Sequence, residues 1–360
     1  MTKLHGLDSF IEVAEEHEQH KSDMTLTPAQ MGFQVLTDQD GTNPKTHLIA
    51  RTEYGTSPFS LNTRPVNQTL RRIQQRKSSP VNYSGPMPVA RHIVHDMYPG
   101  TQAMHLNQML ATLPNNKYLV RGYGDEWVSS YSEMYHIADP VHLIDAMKRG
   151  FEHVGRVPPV SGYVTRYGLS MRVVYPEITR DFNEGDGGDV PYSAGFVLKT
   201  SKTSSHILAP FIQRGPCENT TMFYSSEWGF KLQHRYDQRF VTEFLYANMR
   251  NVMDQSEELM NKVEDASLDA LDNFSDIIAG ISKKAGLDKR LEHEFFATAQ
   301  QQGGHTRLGV ANGLSWIAQD SGIKSLDARE ELEALSGFVM AGGQNYSAYL
   351  NSVRSDWNSD

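Results

Sequence analysis

Among 360 residues there is a single cysteine, Cys217. One thiol excludes an intramolecular disulfide framework and cysteine-rich zinc sites, and it fits a reducing compartment. Long apolar runs are missing too: none approaches the length that spans a bilayer. The opening "MTKLHGLDSFIEVAEEHEQHK" has neither the apolar stretch nor the small-residue cleavage site of a secretory signal. The expectation is a soluble, cytosolic chain with no membrane partner. Also lacking are a G-x-x-x-x-G-K-[ST] phosphate loop, a G-x-G-x-x-G after a strand, an H-E-x-x-H pair and a G-x-S-x-G elbow. "EGDGGD" has too few alternating oxygen ligands for calcium and reads as a turn. His17 with His20, and His92 with His95, have helical spacing but no recognisable third ligand. No cofactor and no metal is therefore called for, and no catalytic residue is assigned.

What is there is length and an uneven charge. The chain is two to three times the usual domain size, enough for a substantial core. Its formal charge of −9 argues against a uniformly basic, duplex-coating surface. Residues 241–360 carry 19 acids and 10 bases, the whole of the −9, and residues 1–240 carry 24 of each. Within the neutral part, residues 54–124 hold eight bases (Arg64, Arg71, Arg72, Arg76, Lys77, Arg91, Lys117, Arg121) against one acid, Asp96. Tyr54, Phe59, Tyr83, Tyr98, Tyr118 and Tyr123 are interleaved with them. Cations among aromatic faces suit a single-strand binding groove, and a solvated helix face is the plainer alternative.

Hydrophobic patterning predicts an α+β fold: an antiparallel sheet body with packed helices and a helical, acidic C-terminal region. "GFQVLTDQDGTNPKTHLIART" reads as a hairpin, and the following stretch to about residue 116 as helix and loop, with a helix over "RPVNQTLRRIQQRK". Two strands flank Gly122 to Asp125. Asp139 and Pro140 start a helix with Val141, Ile144, Met147 and Phe151 on one face. From 160 to 235 several antiparallel strands are expected, joined by the polar loop "TRDFNEGDGGD". Along 163–174, alternation puts Tyr163, Thr165, Tyr167, Leu169, Met171 and Val173 on a core face and Arg166, Ser170 and Arg172 on a basic one, unless Gly168 breaks the strand into a hairpin. Beyond 237, Met260, Val263, Leu271, Phe274, Ile278 and Ile281 follow helical spacing, with the carboxylates as solvated faces. Asp327 and Glu330 have capping-box spacing, and the tail after 345 is polar enough to fray. The domains expected are 1–85, 86–240 and 241–345, with a tail at 346–360.

Three stretches taken together resemble a known family. They are "YLVRGYGDEWVSSYSEMYHIADPVHLIDAM", "VPYSAGFVLKTSKTSSHILAPFIQRGPCENTTMF" with its R-x-x-C-x-N spacing, and "HTRLGVANGLSWIAQD" followed by "LEALSGFVM". The resemblance is to the phage/plasmid-like proteins catalogued as domain of unknown function 932, over about residues 115–340. It departs at "KTSKTSSH", where that family more often has an Asn-Ser-Glu type turn with a Gly. It implies a gene of a phage or mobile element, acting in the cytoplasm of the infected or carrying bacterial cell, an α+β body with a helical C-terminal part, and no established reaction. Arg214, Cys217 and Asn219 then look like a structural fingerprint at a strand end, where a small buried Cys and an Asn bonded to backbone fix a turn.

The leading functional expectation is a non-enzymatic nucleic-acid-binding protein, holding or annealing single-stranded DNA in replication or recombination. Lys117, Arg121, Arg166, Arg172, Lys199, Lys202, Arg214 and Lys231 would meet phosphates, and Tyr118 or Tyr123 would stack on bases. Self-association into a homo-oligomer is compatible with it. The alternative is an interaction factor that binds a host or phage protein through the acidic C-terminal helices. A third reading is a nuclease or thiol hydrolase built on Cys217 and His234, for which no complete catalytic set is visible.

Overall fold

The computed structural model describes residues 3–37, 41, 43–61, 98–112, 115–132, 135–136, 138–155, 157–165, 168–184, 188–201, 205–215, 219–223, 229–233, 236–319, 323 and 326–351. The chain is α+β, its strands paired antiparallel but for one parallel bridge, Ser60 with Glu126. Two compact units divide it. One comprises residues 1–12, 138–164 and 168–359, and the other residues 13–137, 165–167 and 360. The helix α1 (Leu7–Gln19) contributes residues to both.

The second unit is a six-stranded sheet in the order β2-β6-β7-β5-β4-β3. Its strands are β2 (Lys21–Leu26), β3 (Met31–Leu36), β4 (Lys45–Thr52), β5 (Gly55–Ser60), β6 (Tyr118–Tyr123) and β7 (Glu126–Ser132). The helix α2 (Pro99–Thr112) packs on it through Ala103, Leu106 and Leu110, against Phe33, Leu48, Phe59 and Trp127. The expected hairpin is β3 with β4, and the two strands around Gly124 are β6 and β7. β5 corrects the helix-and-loop reading of its segment. Its Phe59 alternates inward while Thr56, Ser57 and Pro58 pair with Arg51, Ala50 and Ile49. The helix expected over residues 64–77 and the histidine pair at 92 and 95 lie outside the described residues.

β3 ends this sheet, where unpaired backbone groups would invite another strand. Asn107 of α2 prevents that at Phe33: its Oδ1 accepts from the Phe33 N–H at 2.8 Å and its Nδ2 donates to the Phe33 carbonyl at 2.8 Å. One side chain thus imitates a neighbouring strand. Asn107→Ala should lower the stability of this unit by about 1–2 kcal/mol, read as a fall in urea midpoint. An unchanged midpoint would show that the two bonds contribute nothing.

The first unit is built on a seven-stranded sheet in the order β1-β8-β9-β10-β11-β12, with β13 also paired to β11. The strands are β1 (Leu4–His5), β8 (Val160–Thr165), β9 (Gly168–Asn183), β10 (Asp189–Ser201), β11 (Ser205–Arg214), β12 (Asn219–Met222) and β13 (Phe230–Gln233). β8 and β9 are separate neighbours, so the single strand read through 163–174 is two strands, with Gly168 the first residue of the second. The polar loop expected at 179–189 is shorter than it looked: Thr179 to Asn183 continue β9, paired with β10, because Phe182 is still inward and buried.

α3 (Pro140–Val154) has Pro140 in its first turn, Asp139 in the extended N-cap conformation, buried Ile144, Met147 and Phe151, and a left-handed Gly155 (φ 79°) that ends it. The C-terminal helices are α4 (Gln238–Asp254), α5 (Ser256–Leu268), α6 (Phe274–Ala285), α7 (Lys289–Gln301), α8 (Arg307–Ile317) and α9 (Leu326–Met340). Met260, Val263, Phe274, Ile278 and Ile281 are buried as their spacing predicts, in a core that also takes Tyr192 and Ile212 from the sheet strands and Phe223 from just after β12. Residues 346–350 of the tail are helical, and 352–360 lie outside the described residues.

Candidate functional site

Alternation along β9 fixes the site. Leu169, Met171, Val173 and Tyr175 fill the core on one face, so Ser170 and Arg172 look out of the other. That second face is not solvent. α9 covers it, and it does so at backbone range: a Cβ at Gly337 would lie 2.1 Å from the Met222 carbonyl oxygen of β12. Only glycine fits there, so helix and strand are in close contact at that point.

Charges trapped under a helix need counter-charges, because desolvation otherwise costs several kcal/mol per ion. α9 supplies them one turn apart. Glu333 accepts from Arg172 Nη2 at 2.5 Å and from Gln319 Nε2 at 2.8 Å, while Arg172 Nη1 donates to Thr220 Oγ1 at 3.0 Å. Glu330 takes Lys199 on one oxygen and the Ser170 hydroxyl, at 3.0 Å, on the other. The next turn adds Ser336, whose hydroxyl lies 2.9 Å from Thr221 Oγ1 and 2.8 Å from the Ala311 carbonyl. Burial, with neighbouring Glu330 adding to it, raises the Glu333 carboxyl above its ordinary value, and Arg172 opposes the shift.

A second polar knot lies at the far end of the same strands. Glu184 receives Arg214 through Nε at 2.7 Å and Nη2 at 2.6 Å, and the Tyr192 hydroxyl at 2.5 Å. Asn312 of α8 donates to the Tyr192 oxygen and to the Gln302 carbonyl, both at 2.7 Å. Burial first, then the Glu184 charge, pushes the Tyr192 phenol well above its usual value. Tyr192 is a neutral donor here.

Ion pairs engage four of the eight cations expected to meet phosphates. Arg172, Lys199 and Arg214 are bonded to Glu333, Glu330 and Glu184, carboxylates that are themselves buried. In the other unit, Arg121 is 2% exposed and bonds Asp23 through Nε and Nη2 at 2.6 and 2.5 Å. A phosphate would have to displace a carboxylate from each. Tyr118 is buried in the six-stranded sheet unit, and Tyr123 is half-buried with its ring against His17 and His20. Neither is an open stacking platform. Lys117 and Lys231 are exposed, in different units. Arg166, Lys202, Cys217 and His234 lie outside the described residues.

Of the fingerprint, Arg214 and Asn219 are direct partners across the β11–β12 hairpin, and Asn219 is 2% exposed. Two further readings change. Asp327 lies within α9 and cannot cap it, and Glu330 is a buried ion-pair partner rather than a capping-box acid. Glu330 and Glu333 are likewise not part of a solvated face. His17 and His20 pack on Tyr123, and among the described residues no group of three His, Cys, Asp or Glu could hold a metal. No helix among them is long and apolar enough to cross a membrane.

The solvated acids are elsewhere. Residues 254–276 contain eight acids and one base, Lys262. Asp254, Glu258, Glu264, Asp265, Asp272 and Asp276 are exposed and make no ion pair among the described residues, and Asp269 is held by Arg307 at 3.2 Å. Glu258, Asp265 and Asp269 stack along one side of α5, opposite buried Leu259, Met260, Val263 and Ala266, and Leu268 beside them is 78% exposed. Lys262 and Arg180, which donates to Asn261, are the cations at its edge. Sequence counting found the acidic surplus but not which acids it leaves in water. Comparison of the chain with models of known families, with curated proteins and with solved structures finds no match in any of the three.

Two outcomes follow from the buried pairs. Arg214→Met, which leaves Glu184 without its cation, should cost about 3–5 kcal/mol, and adding Glu184→Leu should recover much of it. Chemical denaturation of the single and double variants decides this, and a single variant as stable as the parent would mean the pair is idle. Glu333 has a raised carboxyl, so it binds a proton more readily folded than unfolded. The stability it contributes is complete below the ordinary value of 4.5 and is lost as pH rises through the raised one. The stability of the parent relative to Glu333→Gln should therefore decline over that rise, and a pH-independent difference would contradict the assignment.

Proposed function

We propose that this chain is a non-enzymatic binding factor of a phage or mobile element that takes a basic protein partner on the carboxylate face of its α4–α6 helices. The observation that carries the reading is the division of charge. Four cations that would have served a phosphate backbone are bonded to carboxylates, three of them to buried ones, whereas six acids of residues 254–276 stand exposed without an ion pair. Unpaired exposed charge of one sign acts at a distance, steering a complementary surface in and rejecting a like one. Leu268, exposed among these acids, adds an apolar contact that water-separated ions lack. The mobile-element origin rests on the sequence resemblance alone. Of the contacts expected for single-stranded DNA, Arg121, Arg172, Lys199 and Arg214 are engaged by carboxylates, whereas Lys117 and Lys231 are exposed.

The test is capture from lysate of a bacterial host with the intact chain, after nuclease treatment, followed by salt elution. A basic protein should be retained, released by rising salt, and lost from the triple variant Glu258→Lys, Asp265→Lys, Asp272→Lys with an unchanged melting temperature. Retention that ignores the triple variant would sink the reading. So would tight, salt-sensitive binding of an oligonucleotide by the untreated parent.

A further inference from the structure

One exposed feature is apolar. Tyr236, just before α4, and Phe240 and Phe244 within it follow each other at four-residue steps. Their rings form a continuous row: Tyr236 and Phe240 stack at 4.6 Å and 23°, Phe240 and Phe244 at 6.4 Å and 22°, and Phe230 of β13 closes on Phe244 edge-on at 6.1 Å and 80°. Tyr236 is 45% and Phe240 43% exposed, although rings of this size bury readily where a core is offered. The opposite side of α4, Val241, Leu245, Met249 and Val252, is fully used in packing. The row is therefore surplus to the fold.

The same exposed side of α4 runs on from the rings. At 100° per residue, Ala247, Asn251 and Asp254 lie within about 40° of Phe240, and all three are exposed. Glu258 is the next exposed acid beyond them. Over about 21 Å of helix the surface therefore passes from stacked rings, through a small and a polar residue, to the unpaired carboxylates. Two described cations lie near the rings in sequence, Arg239 and Lys231. Arg239 is held by Glu243 at 3.0 Å, and Lys231 alternates to the opposite side of β13 from Phe230.

We propose that this side of α4 is a docking surface for an amphipathic basic helix of a protein partner, with bulky apolar side chains at one end seated on Tyr236 and Phe240 and Lys or Arg side chains further along facing Asp254 and Glu258. The proposal rests on the acidic-partner reading above and adds its anchor. Charge complementarity with the carboxylate end fixes the occupant's sign, and the ring row fixes where its apolar residues must fall.

Fluorescence anisotropy on the full chain tests it with three synthetic helical peptides and a labelled oligothymidylate. The first peptide carries lysines along one face and Leu and Trp four residues apart at one end. The second has the same lysines with Ala in place of the anchors, and the third keeps the anchors with Glu in place of Lys. The first should bind best, and Phe240→Ala or Tyr236→Ala, both at exposed rings, should weaken it about tenfold while leaving the second unaffected. Equal binding of the first and second peptides, indifferent to both variants, would sink the anchor and leave the acidic-partner reading standing. Equal binding of the first and third, or no binding of the first, would overturn both. Oligothymidylate binding abolished by Phe240→Ala would give the rings to bases instead, and a dimer of the parent that dissociates in Phe240→Ala would give them to a second copy. Either result overturns the proposal.

Discussion

The larger unit depends on opposite charges meeting between a sheet and the helix that covers it, with both carboxylates buried. Arg172 and Lys199 leave the sheet on the side that α9 must cover, and α9 can come to backbone range of β12 only because position 337 is glycine. Under that cover Arg172 and Lys199 keep only 17% and 14% of their side chains exposed, so each needs a counter-charge. Glu330 and Glu333 make the approach tolerable, and Ser170, Thr220 and Gln319 satisfy what the carboxylates and the guanidinium leave over. Such pairs break about even against apolar packing, so their contribution is orientation more than raw stability. α9 can sit on the sheet in one register, with each acid opposite its own cation.

That constraint also decides what the charge of the chain means. Counting treats every Arg and Lys as available to a partner, and a local excess of cations then looks like a phosphate-binding surface. Burial removes cations and acids from the surface together, in pairs, and hardly alters the net figure. What reaches a partner is the remainder. In residues 254–276 the remainder is nearly all carboxylate, and no fold requirement explains it, since α5 and α6 bury Met260, Val263, Phe274, Ile278 and Ile281 on their other sides.

The sequence made periodic elements legible and interior chemistry illegible, for a physical reason. α3 and α5 announce themselves because apolar residues must return to one face every three or four positions, whatever lies across from them. The β9 alternation could be read equally well, and Gly168 was visible as a place to break. What covers the polar face of β9 is contributed by residues 160 positions further on, and nothing local to Arg172 encodes it. Glu330 and Glu333 looked like capping and solvated acids since short-range rules are all that a helix shows by itself. A hint was present: Glu333 stands between Leu332 and Ala334 in a run ending "LSGFVM", an apolar setting that an unpaired acid would not survive. Likewise the spacing of Arg214 and Asn219 was visible, but its meaning needed the hairpin that sets them opposite one another and Glu184 from another strand.

The row of rings on α4 shows the converse. Tyr236, Phe240 and Phe244 have a spacing that would ordinarily mean core, yet the core side of that helix is already filled by Val241, Leu245, Met249 and Val252. Two apolar faces on one amphipathic helix cannot both be paid for by the fold. Leaving large rings half in water costs solvation free energy in the free chain, a cost that persists unless something else recovers it. A partner surface recovers it by covering the rings, and the carboxylates at the other end of the same helix would select which surfaces arrive. Affinity and selectivity would then come from different ends of α4, so substitutions at the rings should act chiefly on dissociation and charge reversals chiefly on association.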